Sequence, residues 1–258
     1  MKASLHRLPL WWPTAALLAA TLLAWEIGVG QGLVSRLFFP PPSKITAAIA
    51  DLLREGALVR HTAATISRAA AGFALGGAVG FALGLAMGLS RRIRGALDPL
   101  VAAIHPVPKI AVLPLFLVVF GIGETATILV IALAALFPLL INTLTGVRRI
   151  SPAYYDVGRA CGAKPLRLFS RVVLPASLPM ILSGVRLSFN LAFLVAIAVE
   201  LLSARTGLGS LIWQAWQTFR TEEIYAVLAV ISALGAGTNV VLDRLSKKLV
   251  PWAEEMEG

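Results

Sequence analysis

Six blocks of apolar residues, at about 11–29, 69–89, 97–120, 125–144, 176–202 and 225–242, constrain this chain more than any other feature. An α-helix rises 1.5 Å per residue, so about 20 apolar residues cross the roughly 30 Å of hydrocarbon in a bilayer. Charged residues make up only 14% of the chain, against about a quarter in soluble domains. The expectation is an all-α membrane protein with six transmembrane helices.

The blocks also set the organisation. The first follows Lys2 and Arg7, as a signal peptide would. It is long for a signal core, rich in tryptophan and without a small-x-small cleavage site, so it reads as an anchor. Pro40, Pro41 and Pro42 then break the chain. Ser43 is the expected N-cap of an amphipathic helix carrying Ile45, Ile49, Leu52 and Leu53 on one side. Residues 1–60 therefore read as an N-terminal transmembrane helix with an external amphipathic segment, and residues 61–258 as a five-helix core. The third block is interrupted by Pro106, Pro108 and Pro114, and a polar-rich loop at about 146–175 separates the fourth and fifth.

The net charge of +10 does not indicate nucleic-acid binding, because the cations flank the spans and form no solvated basic face. With the N-terminus inside, the inner segments hold Lys2 and Arg7; Arg91, Arg92 and Arg94; Arg148, Arg149, Arg159, Lys164, Arg167 and Arg171; and Arg244, Lys247 and Lys248. These are 14 of the 23 basic residues, and the outer segments hold seven: Arg36, Lys44, Arg54, Arg60, Arg68, Arg205 and Arg220. The positive-inside rule then predicts both termini in the cytoplasm, and the 146–175 loop with them.

Enzyme signatures are missing. No G-x-x-x-x-G-K-[ST] loop offers a phosphate cradle, and no G-x-S-x-G elbow offers a nucleophile. The single cysteine, Cys161, excludes a disulfide framework, and His6, His61 and His105 show no ligand spacing, so no metal site is expected.

Two sets of residues stand out inside the spans. Gly72, Gly76, Gly80, Gly84 and Gly88 recur every four residues, leaving a face bare of side chains that either admits a close neighbour helix or lines a pore. Because four residues overshoot one helical turn, that face drifts and could serve more than one neighbour. Polar groups at this depth are costly: His105, Lys109, Asn142, Arg186, Asn190 and Glu200 either line a translocation path or satisfy packing partners. Pro108 adds a freed carbonyl that protein or a water-filled cavity must satisfy. Arg186 could snorkel to the surface, and Glu200 could bond a neighbouring loop.

The polar-rich loop carries a spaced pattern. Asp156, Val157 and Gly158 are followed after three residues by Gly162, and after nine more by Val172, one residue, then Leu174 and Pro175. This spacing resembles the E-A-A, G, I-x-L-P pattern of the loop by which bacterial ABC-importer permeases hold their ATPase. Here aspartate stands for glutamate, and neither following residue is alanine. Ser151 and Pro152 read as the cap and first turn of a short helix, with Asp156 favoured near its N-terminus. Gly162, Lys164 and Pro165 end that helix, and Gly158, Ala160, Gly162 and Ala163 leave a low surface for a partner.

Further segments, among them 105–116, 120–124, 137–143, 183–186, 207–209, Phe39 to Ser43 and the closing Pro251-Trp252, look similar to the aliphatic sulfonate, taurine and nitrate permeases. The resemblance implies the type I importer architecture and transport of a small anion by alternating access, in the bacterial cytoplasmic membrane. It implies that 146–175 is the coupling loop, and it implies a second permease copy, a cytoplasmic ABC ATPase dimer and a periplasmic or lipid-anchored binding protein. ATP and Mg would be bound by the ATPase, with no cofactor in this chain. Another nutrient, such as a thiamine-precursor pyrimidine or a flavin, fits the same fold. An ion-coupled secondary transporter would need inverted repeats and buried titratable relays, neither of which is seen.

Overall fold

The computed structural model describes residues 12–252, so Lys2, His6, Arg7 and the first residue of the expected first span, Trp11, lie outside the described residues. Eleven α-helices are found among the described residues. Five helical stretches are long and apolar enough to cross a membrane: Trp12–Gly30 (α1), Ala57–Leu89 (α3), Glu124–Arg148 (α6), Pro165–Ser203 (which contains α9, Leu174–Ser203) and Thr221–Leu249 (α11). A sixth apolar stretch, Ile110–Phe120, is shorter and ends in α5 (Leu113–Phe120).

The third block therefore does not form one helix. Its first residues belong to α4 (Arg91–Ile104), an amphipathic helix with no buried residue, started by Ser90, whose Oγ accepts from the Ile93 N–H at 3.3 Å. The chain then unwinds through His105 to Lys109 before a 3₁₀ turn at Ile110–Val112 leads into α5. Pro106 and Pro108 lack N–H donors and clash with the preceding turn, which is the physical cause of the break.

By its contacts the chain divides into two compact units. One holds α1, α2 (Pro42–Arg54) and Ile212–Val230; the other holds Arg60–Leu211 and the residues from Ile231 onward. In the first unit, α2 begins after Pro41 rather than at Ser43. Ser43 instead donates its backbone N–H (3.0 Å) and hydroxyl (2.7 Å) to the Glu26 carboxylate of α1, so the cap comes from a neighbouring helix. Ile45 and Leu52 are buried, whereas Leu53 is exposed.

The second unit is built around α6, whose apolar window is the most buried of the five. A Cβ added at Gly72, Gly76 or Gly80 would overlap Ile131, Ala132 or Leu136; at Gly84 it would meet Leu140 and Thr143, and at Gly88 Val147. The residue numbers rise together, so α3 and α6 run parallel. All five glycines meet this one helix, because a row at i, i+4 is inclined to its axis and a crossing helix follows it. On the other side Gly146 of α6 meets Ser177 and Met180, while Gly184 of α9 meets Asn142 and Leu139, which makes α6 and α9 antiparallel. Val130, Ile131, Ala135, Ala192, Ala196 and Val199 close the core between them.

These directions bring the C-terminal ends of α3 and α6 to the start of α9. Arg148, Arg149, Arg159, Lys164, Arg167 and Arg171 lie at that end, and Glu124 and Glu200 at the other.

Candidate functional site

The loop between α6 and α9 folds as two arms. Its first is α7 (Pro152–Ala160), and its second runs through α8 (Pro165–Leu168) and a π-helical turn at Phe169–Val173 directly into α9. Gly162 joins them at φ +72°, a left-handed conformation that glycine adopts without penalty. Its N–H donates to Arg159 O at 2.9 Å and the Ala163 N–H to Gly158 O at 3.0 Å, the paired bonds of a Schellman C-cap. The spacing of Gly162 after Asp156-Val157-Gly158 is thus a helix-termination signal.

Other readings of the loop need correction. Ser151 occupies the N-cap position, but its side chain makes no capping bond, and Asp156 lies beyond the first turn of α7. Gly158 does not contribute to an outer surface: it is half-buried, and a Cβ there would press on Leu168 and, more loosely, Val172. The glycine lets the first arm close onto the second. The outer surface is supplied by Tyr154, Val157 and Leu166, exposed at 61%, 64% and 80%, together with Asp156, Ala160, Gly162 and Lys164. Ala163, Leu174 and Pro175 are half-buried at the junctions, and burial raises the Tyr155 phenol above its ordinary range, which keeps it neutral.

At the opposite end of the unit lies a buried polar network. Arg68 of α3 uses all five guanidinium donors: Nε and Nη2 reach the Glu124 carboxylate at 2.7 and 2.5 Å, Nη1 reaches Glu200 Oε1 at 2.8 Å and Thr206 O at 2.5 Å, and Nη2 reaches Thr206 Oγ1 at 2.8 Å. Glu200, fully buried, also accepts from Thr65 Oγ1 (2.7 Å) and the Gly209 N–H (3.2 Å). The Gly207 N–H donates to His61 Nδ1 at 3.0 Å, and the Leu208 N–H to Thr65 Oγ1 at 2.8 Å. A side chain at Gly207 or Gly209 would collide with Glu200. The network therefore fastens α3, α6, α9, the 204–207 turn and the start of the helix Leu208–Gln217 together. Glu200 bonds the neighbouring loop, while Arg68, Glu124, His61 and Thr65 were not singled out by sequence reasoning.

The remaining polar residues fall into two places. Around the break, Lys109 Nζ donates to the carbonyls of Ile104 (3.2 Å), His105 (2.6 Å) and Val107 (2.8 Å), and sits 4.5 Å from the centre of the Phe137 ring. Ile104 O, the carbonyl that Pro108 leaves without its helical N–H, is thus met by a cation. His105 packs edge-on against the same ring at 5.4 Å, and a cavity of about 300 Å³ opens between His105, Pro108, Lys109, Phe137 and Leu191. Asn142 is not brought into it; its amide donates to Pro138 O at 2.8 Å along α6. Elsewhere, Arg186 and Asn190 face α11, bonding Asp243 at 2.5 Å and Asn239 at 2.9 Å. Arg186 is therefore paired, and α9 and α11 run antiparallel.

Comparison with known proteins matches residues 76–255 to the family described as "Binding-protein-dependent transport system inner membrane component". Over 96% of its length the chain is 37% identical to the putative aliphatic sulfonates transport permease protein SsuC of Bacillus subtilis (strain 168), covering 90% of that protein. It is 32% identical to the taurine transport system permease protein TauC of Escherichia coli (strain K12), over 93% of the chain and 89% of the relative. Against the riboflavin transport system permease protein RibX of Chloroflexus aurantiacus the identity is 36%, over 93% and 91%. Among solved structures, an inward-facing MetNI methionine ABC transporter superposes with a TM-score of 0.68 at 19% identity, covering 76% of this chain and 97% of that one. That likeness is one of fold, the type I ABC importer permease.

Proposed function

This chain belongs to the family of binding-protein-dependent transport system inner membrane components, and from that premise we propose that it imports a small anion, a sulfonate, taurine or nitrate, under the drive of a separate ATPase. It is an ABC-importer permease, a translocation subunit in a multi-pass membrane fold. In the proposed assembly two copies of the chain pair in the bacterial cytoplasmic membrane. A cytoplasmic ABC ATPase dimer binds ATP and Mg, and a periplasmic or lipid-anchored binding protein delivers substrate.

The observation that carries the coupling role is the two-armed loop closed by Gly158 and Gly162. Its short exposed helix, α7, is fastened through the second arm to the 30-residue α9. A push on α7 is thereby passed to α9, to α6 packed beside it, and to α11 through Arg186 and Asp243. The clustering of arginines at the loop end supports a cytoplasmic loop and cytoplasmic termini. The substrate path is proposed to pass the break at His105 and Pro108, where Lys109 is the one full charge among the residues around the cavity. An ammonium in low dielectric favours an anion over a neutral or cationic solute. Asn142, Arg186 and Asn190 take part through the packing that moves, and Glu200 through the network that holds the opposite end.

The relatives named for aliphatic sulfonates and taurine support an anionic substrate. The relative named for riboflavin, at similar identity, supports a second reading in which a flavin-type nutrient is carried. Reconstitution of the chain with its ATPase and binding protein in proteoliposomes separates them. Labelled taurine or nitrate accumulates only with ATP if the first reading holds, and labelled riboflavin if the second does. Uptake without the ATPase would overturn both in favour of an ion-coupled transporter.

A further inference from the structure

The closing Pro251-Trp252 pair brings the end of the described chain back to the root of the loop. There Trp252, Tyr154, Ser151, Met180, Arg149 and Arg171 are among the residues around a cavity of about 470 Å³. It is larger than the cavity beside Lys109, and no acidic residue among the described residues lines it. Its floor is apolar, formed by residues such as Val172 of the π-helical turn and Pro175 and Met180 of α9. Its two cations have no hydrogen-bonding or ion-pair partner from a side chain among the described residues, although Arg68, Arg54, Arg186 and Arg220 are all paired.

We propose that this cavity is a binding site for one anionic phospholipid, its phosphate held between Arg149 and Arg171 and its glycerol and upper acyl chains lying on the Met180 floor beside Trp252. Guanidinium groups match the geometry and charge of phosphate oxygens. The tryptophan is of the type that settles at the membrane–water boundary, one side apolar and an N–H facing water. The shared chemistry is an oxyanion beside an apolar body. A free hydrated anion uses the arginines but has no need of the floor, so the floor assigns the site to a lipid. Because the site is walled by Ser151 and Tyr154 of the first arm and by Arg171 and Val172 of the second, an occupant props the loop at its root. The inference rests on the membrane fold and goes beyond the transport reading; a binding measurement returns its answer whether or not the chain transports an anion.

The full chain in neutral detergent, titrated with phosphatidylglycerol and read by native mass spectrometry, tests it. Wild type should retain one lipid per chain beyond the level seen with phosphatidylcholine. Arg149→Gln with Arg171→Gln should weaken that retention roughly 30-fold, since each cation near an anionic lipid contributes about a factor of five. Arg91→Gln with Arg92→Gln, which removes two cations away from the cavity, should retain the lipid as wild type does. If the double glutamine variant fails to fold, Ala176→Trp serves instead, filling the cavity while keeping both arginines, and should expel the lipid. Equal loss in the Arg91 and Arg92 control, or unchanged retention in the cavity variants, overturns the site. Displacement of the lipid by millimolar inorganic phosphate alone overturns the assignment to lipid.

Discussion

Arg68 and Glu200, 132 residues apart in sequence, form a buried ion pair at 2.8 Å that joins α3 to α9. Arg68 is also shared with Glu124, whose side chain is 63% exposed. The two acids are therefore unequal, because one is shielded from water and the other is not.

Glu200→Ala should be the more damaging change. It leaves a buried guanidinium short of a partner, which costs about 3–5 kcal/mol, and it removes the acceptor of the Gly209 N–H. Glu124→Ala exposes its end of the network to water and should cost about 1 kcal/mol or less. Thermal melting followed by size-exclusion chromatography would rank them, and a lower midpoint for the Glu124 variant would refute the assignment.

Adjacent glycines on α3 give a test within one turn. At Gly76 a methyl group would strike the backbone of Ala132, whereas at Gly77 it would rest 3.4 Å from Leu139 Cδ2, an ordinary contact. Gly76→Ala should destabilise by about 1–3 kcal/mol through overpacking, and Gly77→Ala should be neutral or stabilise by up to about 1 kcal/mol through helix propensity. The same melting experiment checks both, and equal effects would mean that α3 and α6 do not pack along this stripe.

The helices were legible in the sequence because length, apolarity and proline position are local properties. So was the loop, where one glycine at fixed spacing demands a left-handed turn. The network at the other end was not legible. Starting the second span at residue 69 left Arg68 among loop charges, yet α3 begins at Ala57 and carries Arg68 well inside the helix. The available signal was Glu200 itself, an acid inside an apolar run, which requires a base brought from elsewhere. Nothing local marks which base, since Arg68, 132 residues away, meets Glu200 only through tertiary packing. Gly158 was misassigned for a related reason: a small residue in a short helix serves equally for an outer contact or an inner one, and only the fold of the second arm decides.

Gly162 bears on coupling through its backbone. Nothing lies within 4 Å of a Cβ built there, so steric clash is absent, and the cost of a side chain comes from φ +72°. Gly162→Ala should loosen the Schellman turn by about 1 kcal/mol, and Gly162→Asn by less, since asparagine tolerates this region. Co-purification with the ATPase and ATP-driven uptake should fall in the order glycine, asparagine, alanine, with the melting of the spans unchanged. Equal activity of all three would show that the turn does not set the stance of α7.

The pair between Arg186 and Asp243 offers the last test, because its two partners can be exchanged. The bond is 2.5 Å long, both side chains are about two-fifths exposed, and Asn190 and Asn239 repeat the α9–α11 contact one turn along. If this contact carries loop motion from α9 to α11, Arg186→Asp should set two carboxylates against each other, and Asp243→Arg two guanidinium groups. Either single variant should lose most ATP-driven uptake while its ATPase still co-purifies, since α7 is untouched. The double exchange restores opposite charges and should recover uptake. Recovery should be partial, because Lys247, 3.9 Å from Asp243 in the native chain, would then face an arginine. A purely structural role predicts that uptake and melting temperature fall and recover together. A coupling role predicts uptake lost at unchanged melting temperature, and a double variant no better than either single one would rule out the pair as the link.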